Sequence, residues 1–208
     1  MKFLPTLLLF AAVLLPAGSF AGVGPCDYST AERAYPGPET VVVMVLPDGT
    51  GTPLTEARTL YQEVDATITI NLLDCLGVPV PGYPSEDMWL ESADGGLAMC
   101  VAGSITDANT DANGQAFWAQ PLRAGGSSEA LTIVIVNGAP LTTNAGLAIS
   151  FNSPDINGDR VVNLTDVPSF ATDFYGSAYM FRSDFHYDGT VNLSDVVLMA
   201  QGLGADCP

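Results

Sequence analysis

Basic residues are scarce in this chain, and their scarcity narrows the functions open to it. Lysine and arginine number 6 against 23 aspartate and glutamate residues, which gives a formal net charge of −17. The only lysine is Lys2 and the only histidine is His186. A protein this acidic repels nucleic acid and anionic lipid and attracts divalent cations. The composition therefore argues against a nucleic-acid-binding protein, and the placement of the acids has to indicate the function.

The shortage of histidine also disfavours nucleophilic catalysis. A Ser-His-Asp or Cys-His site needs a histidine, and His186 lies inside a stretch rich in Asp and Asn. Glycoside hydrolysis needs only two carboxylates, but no spacing brings two of the candidates together: Glu63, Glu86, Asp87, Glu91 and Glu129. We therefore expect a protein that is not an enzyme, with glycoside hydrolase activity as the alternative. Four aromatics could form a sugar-stacking platform or belong to the core: Trp89, Trp118, Tyr61 and Tyr83.

Long apolar runs are absent except at the N-terminus. Lys2 precedes an apolar run that starts at Phe3 and ends before the small residues around Ser19 and Ala21. This layout predicts a secretory signal peptide over residues 1–21, cleaved after Ala21. A buried N-terminal helix is the alternative, and the run is too short to favour a membrane span. We therefore expect bacterial-type export to the cell surface or the extracellular space, with no membrane span.

Cysteine is limited to four residues, Cys26, Cys75, Cys100 and Cys207. An even number of cysteines in an exported chain predicts two disulfides, for which three pairings exist. We expect Cys75–Cys100 within the middle of the chain and Cys26–Cys207 between its ends. Zinc is disfavoured because no C-x-x-C spacing is present.

Residues 22–152 carry the signals of a β protein. Residues 22–40 are rich in Pro and Gly and predict irregular structure. Short β-branched or alternating segments follow, separated by Gly, Asn, Asp and Pro, and they predict an antiparallel sandwich or barrel. The predicted strands are 40–46, 66–73, 88–92, 97–103, 115–122, 131–136 and 147–152. The stretch "DANTDANG" at 107–114 predicts a turn rather than a metal site.

The stretch 66–136 resembles the immunoglobulin-like domains of bacterial surface and secreted proteins. The shared features are "ATITINLLDCLGVPVPGYP", a following pair of strands, and then "TDANGQAFW". The resemblance implies that residues 22–152 form an antiparallel immunoglobulin-like β-sandwich, and the fold class is mainly β.

The pattern changes after Ser153, where helical spacing replaces strand alternation. Apolar residues recur at intervals of three and four in two series, which predict two helices. The series are Leu164, Val167, Phe170, Ala171 and Phe174, and then Leu193, Val196, Val197 and Ala200.

Each helical series begins inside a twelve-residue stretch, "DINGDRVVNLTD" at 155–166 or "DFHYDGTVNLSD" at 184–195. Calcium takes six to eight oxygen ligands, and a twelve-residue loop supplies them from its first, third, fifth, seventh, ninth and twelfth places, the seventh through its backbone carbonyl. In the first loop these places hold Asp155, Asn157, Asp159, Val161, Asn163 and Asp166. In the second loop they hold Asp184, His186, Asp188, Thr190, Asn192 and Asp195. The eighth places, Val162 and Val191, are expected to point into the core.

Residues 153–205 resemble the type I dockerin module, in which the pattern D-x-N-x-D-x-x-[IV]-N-x-x-D occurs twice and each copy is followed by a helix. The resemblance implies a small α-helical domain at 153–208 with paired EF-hand-type loops and two calcium ions. It also implies a cohesin-type protein partner, contacted through Leu164, Thr165, Leu193 and Ser194. The sequons that begin at Asn163 and Asn192 are interpreted as accidental, because both asparagines are expected ligands.

Three residues depart from this pattern. His186 replaces Asn or Asp at the third place, which predicts a weaker second site, because a neutral imidazole is a poor calcium ligand. Arg160 stands at the sixth place, where glycine eases the turn. Pro168 falls in the first turn of the first helix and is expected to shorten or bend it.

The favoured function is therefore calcium-dependent attachment of a secreted protein to a cohesin-type partner. One alternative is structural: the calcium module docks on its own sandwich and stiffens it. Another is a carbohydrate-binding or polysaccharide-degrading β region that uses the module as a tether.

Overall fold

The computed structural model describes residues 27–208. The expected signal peptide over residues 1–21 and Cys26 lie outside the described residues. None of the helices within 27–208 is long and apolar enough to cross a membrane.

The described chain is mainly β, with two α-helices near its C-terminus. The strands are Thr30–Arg33 (β1), Val41–Met44 (β2), Ala57–Arg58 (β3), Glu63–Val64 (β4), Ile68–Asn71 (β5), Met88–Ser92 (β6), Leu97–Met99 (β7), Gln115–Trp118 (β8), Ala124–Gly126 (β9), Thr132–Val136 (β10), Ala139–Pro140 (β11) and Ile149–Asn152 (β12). The α-helices are Val167–Tyr175 (α1) and Leu193–Gly202 (α2), and short 3₁₀ turns cover Leu54–Glu56, Ser85–Asp87 and Phe181–Ser183.

The strands form four small sheets with the orders β1-β5-β8, β11-β10-β6, β12-β2-β3-β4 and β7-β9. Pairing within them is antiparallel apart from the parallel pair of β12 and β2. The prediction of a mainly β fold with antiparallel sheets is confirmed. Every predicted strand segment contains a strand, although residues 22–40 are not wholly irregular, because β1 pairs there with β5.

The core of the β region is built by side chains that alternate along the strands. In β5, Ile68 and Ile70 are fully buried, while Thr69 and Asn71 are half-buried. Trp118 and Tyr83 are also buried in this core. These two aromatics therefore cannot form a sugar-stacking platform.

A second apolar cluster joins the C-terminal segment to the β region. Val162, Phe170, Phe185 and Met199 of that segment pack with Leu46, which follows β2. Val162 is fully buried, as expected for the eighth place, and its counterpart Val191 is partly buried against the same cluster. The C-terminal segment therefore uses the β region as part of its own core.

The two repeats differ in where their helices begin. The α2 helix starts at the tenth place of its loop, whereas α1 starts only after the twelfth place. Pro168 is expected to cause this difference, because it has no N–H to donate to the carbonyl of Leu164 and so cannot close the first helical turn. Pro168 lies in the first turn of α1, and its effect on the length of that helix stays a prediction.

The apolar series of α2 lies on the outer face of the helix. Leu193, Val196 and Val197 are exposed, while Asp195, Met199 and Gly202 are buried. Helical spacing thus predicted the helix but not which of its faces contacts the core.

Both expected disulfide pairings are wrong, because Cys100 is bonded to Cys207 with their Cα atoms 5.6 Å apart. Cys75 is disulfide-bonded as well. The pairing follows from the path of the C-terminal segment: the N–H of Val162 donates to the carbonyl of Ala205, and the N–H of Cys207 donates to the carbonyl of Arg160. These contacts hold the end of the chain beside Arg160, which lines one cleft with Leu97, Ala98 and Met99 of β7. Spacing along the sequence carries no information about them.

Candidate metal centre

The two twelve-residue loops have the same unusual backbone. The fourth place has positive φ in both, +71° at Gly158 and +49° at Tyr187. The sixth place does too, +72° at Arg160 and +88° at Gly189. Left-handed residues are uncommon outside glycine, so their recurrence at matching places indicates one loop conformation written twice.

The carboxylate at the first place organises each loop in the same way. Asp155 accepts hydrogen bonds from the backbone N–H groups of the fifth and sixth places at 3.2 and 2.7 Å. Asp184 accepts the corresponding bonds at 3.1 and 2.9 Å. Both side chains are fully buried. The loop therefore wraps around its first aspartate.

The residues at the ninth and twelfth places also make matching hydrogen bonds in the two loops. Asp166 accepts from the N–H groups of the third and ninth places at 3.1 and 2.9 Å, and Asp195 does so at 2.9 and 2.8 Å. The side-chain oxygens of Asn163 and Asn192 accept from the eleventh place at 2.7 and 2.8 Å. The aspartate at the twelfth place thus ties the start of each loop to its end.

Burial makes the charge of these carboxylates costly. Burial raises the pKa of the Asp155 carboxyl, and the nearby carboxylates of Asp166 and Asp159 raise it further against opposing backbone hydrogen bonds. Burial likewise raises the pKa of Asp195, with added repulsion from Asp184. A bound cation would offset both effects, since an opposite charge nearby favours the ionised form.

The third place is where the loops differ. Asn157 accepts from the N–H of Asp159 at 2.8 Å, and its amide nitrogen donates to Asp159 and Thr165. His186 is half-buried, and its backbone N–H donates to Asp195. Only the first loop therefore has a side-chain amide oxygen at this place.

Residues of the β region form hydrogen bonds to the first residue of both loops. The amide nitrogen of Asn152 in β12 donates to the carbonyl of Asp184 at 2.6 Å, and the N–H of Gly126 in β9 donates to the carbonyl of Asp155 at 2.7 Å. Gly125 lies so close to the Asp155 carboxylate that a Cβ there would collide with it. The positions of the two expected sites are thus set by strands outside the repeats.

The segment between the repeats is fixed by an ion pair. The guanidinium of Arg182 donates to both carboxylate oxygens of Asp173 at 2.7 and 2.9 Å, and the hydroxyl of Ser183 donates to the same carboxylate. The bonds from Arg182 lower the pKa of the buried Asp173 carboxyl. A second bond runs from the hydroxyl of Tyr179 to Asp184 at 3.0 Å. Together they connect the end of α1 to the start of the second loop.

The residues fit calcium in donor type and number. Each loop offers carboxylate, amide and carbonyl oxygens at the expected places, the first loop six of them, which are the hard ligands that calcium takes six to eight at a time. Within residues 27–208, however, no three or more His, Cys, Asp or Glu side chains are grouped so that they could hold a metal ion as they stand. The carboxylates at the first and twelfth places are engaged by backbone N–H groups of their own loops instead.

The expected partner-binding residues lie at the surface. Leu164 and Leu193 are 77% and 72% exposed, and Thr165 and Ser194 beside them are also exposed. Neither leucine therefore belongs to the apolar core of this chain.

The fold brings together two acidic residues, Glu86 and Glu91, whose spacing along the sequence did not predict that they lie close together. Glu86 and Glu91 line one cleft with the half-buried Trp89. The alternation in β6 explains part of this, since Trp89 and Glu91 project from the same face of the strand. The stretch 107–114 forms the predicted turn, in which Asp111 accepts from the N–H groups of Asn113 and residue 115.

Comparison with known proteins finds no family model that matches the chain and no curated protein with significant similarity to it.

Proposed function

We propose that residues 153–208 bind two calcium ions, one in each twelve-residue loop. The observation that carries this proposal is the shared framework of the two loops: matched positive φ angles and matched hydrogen bonds around the first, ninth and twelfth places. Turns that are merely polar have no reason to repeat a framework of this kind.

The proposed ligands are those that the loop places predict. The first ion would be held by Asp155, Asn157, Asp159, Asn163, Asp166 and the carbonyl of Val161. The second would be held by Asp184, Asp188, Asn192, Asp195, the carbonyl of Thr190 and, weakly, His186. When bound, calcium neutralises the buried carboxylates of each loop, which otherwise repel one another.

We further propose that the β region is an immunoglobulin-like sandwich that carries this module in a secreted protein. Its support is a single apolar core shared by different sheets, with Ile68 from β1-β5-β8, Leu90 from β11-β10-β6 and Val43 from β12-β2-β3-β4. The Cys100–Cys207 disulfide is compatible with an exported protein.

The proposed role of the calcium module is attachment to a cohesin-type protein domain. The module docks on its own β region by one face, through Leu46 and Asn152. Its other face exposes Leu193, Val196 and Val197, and large exposed apolar patches mark interaction sites. Docking in cis and attachment in trans therefore use different surfaces.

The calcium proposal is tested by thermal unfolding with calcium and with excess chelator. A ligand at about 100 times its dissociation constant stabilises the folded state by about 2.7 kcal/mol, so calcium should raise the melting temperature. Asp155→Asn should reduce this gain, whereas the exposed Asp65→Asn serves as a matched control and should keep it. An unchanged melting temperature in calcium would remove the proposal.

The attachment proposal is tested by binding of the purified chain to immobilised type I cohesin domains. We expect capture in calcium and release by chelator, with Leu193→Asp abolishing capture. Leu76→Asp is the control, since Leu76 is 86% exposed and lies in the β region. Calcium-dependent stability without capture would favour the structural alternative, in which the module serves only its own chain.

A further inference from the structure

A cleft of about 350 Å³ opens on the β region, and the calcium loops do not line it. Its lining includes Glu86, Trp89, Glu91, Met99, Ser104 and Ile105. The volume lies within the range of about 300–1,000 Å³ that is usual for small-molecule sites. Size alone therefore permits a ligand of a few rings.

Trp89 lines this cleft and is half-buried. It is paired across the sheet with Ile135 of β10 and bridged on its other side to Ile105. Its indole nitrogen donates to the Oε1 atom of Glu91 at 2.8 Å. The hydrogen-bonding capacity of the ring is thus satisfied within the protein, and what it can offer a ligand is its apolar face.

The acceptors beside this face come from two carboxylates. Glu91 has a second carboxylate oxygen beyond the one bonded to Trp89, and the exposed Glu86 lines the same cleft. Hydrogen bonds to ionised carboxylates are roughly twice as strong as bonds between neutral groups. No lysine or arginine is among the described residues that line the cleft.

The floor of the cleft is anchored in the main core. The N–H of Leu90 donates to the carbonyl of Ser104 at 3.1 Å, and the buried Trp118 donates to the same carbonyl at 2.8 Å. The Cys100–Cys207 disulfide lies at the same cleft. Trp89 and the floor are therefore held in place before any ligand arrives, which limits the ordering cost of binding.

We propose that this cleft binds a neutral carbohydrate chain. A pyranose ring presents an apolar C–H face that matches Trp89, and hydroxyl donors around its edge that match Glu86 and Glu91. An acidic glycan is excluded by the two carboxylates and by the formal charge of −17. A small organic cation would suit the carboxylates, but it would leave most of the apolar face of Trp89 uncovered. The inference is independent of the calcium sites.

The two tryptophans of the chain allow a direct test. Trp118 is fully buried and Trp89 is only half-buried, so a ligand in the cleft should change the fluorescence of Trp89 alone. The full chain is titrated with xylohexaose, cellohexaose, chitohexaose and maltohexaose at constant calcium, with calorimetry as the second readout. At least one of these neutral sugars should bind and shift the emission.

Matched variants then locate the site. Trp89→Phe should keep calorimetric binding but lose the fluorescence change, and Trp89→Ala should weaken binding by about tenfold, because the stacking face is removed. Glu91→Gln should weaken it by a few fold. Tyr175→Ala removes an aromatic of α1 that is 85% exposed outside the cleft, and it should leave binding unchanged.

Three results would overturn the proposal. One is the absence of binding by all four sugars at millimolar concentration, with wild-type folding verified by circular dichroism. Another is a sugar affinity that Trp89→Ala leaves unaltered in a folded variant. The third is salt-sensitive binding of hexa-arginine in the cleft without binding of any sugar, which would identify a cation site instead.

Discussion

Arg160 occupies a backbone position that suits glycine, and replacing it should stabilise the protein. Its φ is +72°, and the corresponding residue of the second loop is Gly189 at +88°. A left-handed conformation costs a residue with a Cβ roughly 1–2 kcal/mol. Glycine loses more backbone entropy on folding, by roughly 0.5–1 kcal/mol. The net expectation for Arg160→Gly is a gain of about 0.5–1 kcal/mol in the free energy of unfolding.

The assay is urea denaturation at a fixed calcium concentration, with Arg160→Ala as the matched control. Both variants remove the exposed side chain and its charge, but only Arg160→Gly relieves the backbone. We expect Arg160→Gly to unfold at higher urea than both the wild type and Arg160→Ala. Equal midpoints for the two variants would refute the assignment of strain and attribute any gain to charge.

Three further changes test the way the repeats are held. Asp173→Asn should lower the free energy of unfolding by about 1–3 kcal/mol, because it leaves the half-buried Arg182 without its charged partner. Since the pKa of Asp173 is lowered in the folded state, its charge stabilises the protein above the unfolded pKa, and this contribution is lost as the pH falls through the folded pKa. The stabilities of wild type and variant should therefore converge as the pH is lowered. Reducing the Cys100–Cys207 bond, mimicked by Cys207→Ser, should destabilise the chain by about 5 kcal/mol in the chain-entropy view of a loop with a sequence separation of 107. A variant with wild-type thermal stability would contradict this. Gly125→Ala should displace the first loop and weaken the tighter calcium site, measured by calorimetry, while the second site keeps its affinity.

Sequence patterns predicted the strands whose own side chains favour β structure. The β-branched run at β2 and the alternation at β5 were visible because Val41 and Ile68 carry the signal in their own side chains. Strand β9 was not predicted, since "AGG" has no β propensity and pairs with β7 through its backbone. Strand β1 was hidden by its charged residues, because its partner in the sheet decides its conformation.

The sequence predicted that the two twelve-residue stretches are equivalent loops, but not what surrounds them; their metal ligands stay a prediction. The twelve-residue pattern indicates which side chains could meet an ion, and the fold gives both copies one framework. Docking of the loops on Gly126 and Asn152, and the disulfide that ends at Cys207, depend on contacts between distant segments. Periodicity could not reveal these contacts, nor that α2 turns Val197 toward solvent.

The central claim is that each loop binds calcium and that the third place makes the loops unequal. Calorimetric titration of the wild type with calcium should give two sites per chain, the weaker one at the loop that contains His186, because a neutral imidazole is a poor calcium ligand. His186→Asn supplies an amide oxygen and should bring the weaker site close to the stronger one, while Asp159→Ala should remove the stronger site. Absence of calcium binding would contradict the account, and two equal sites in the wild type would contradict the role assigned to His186.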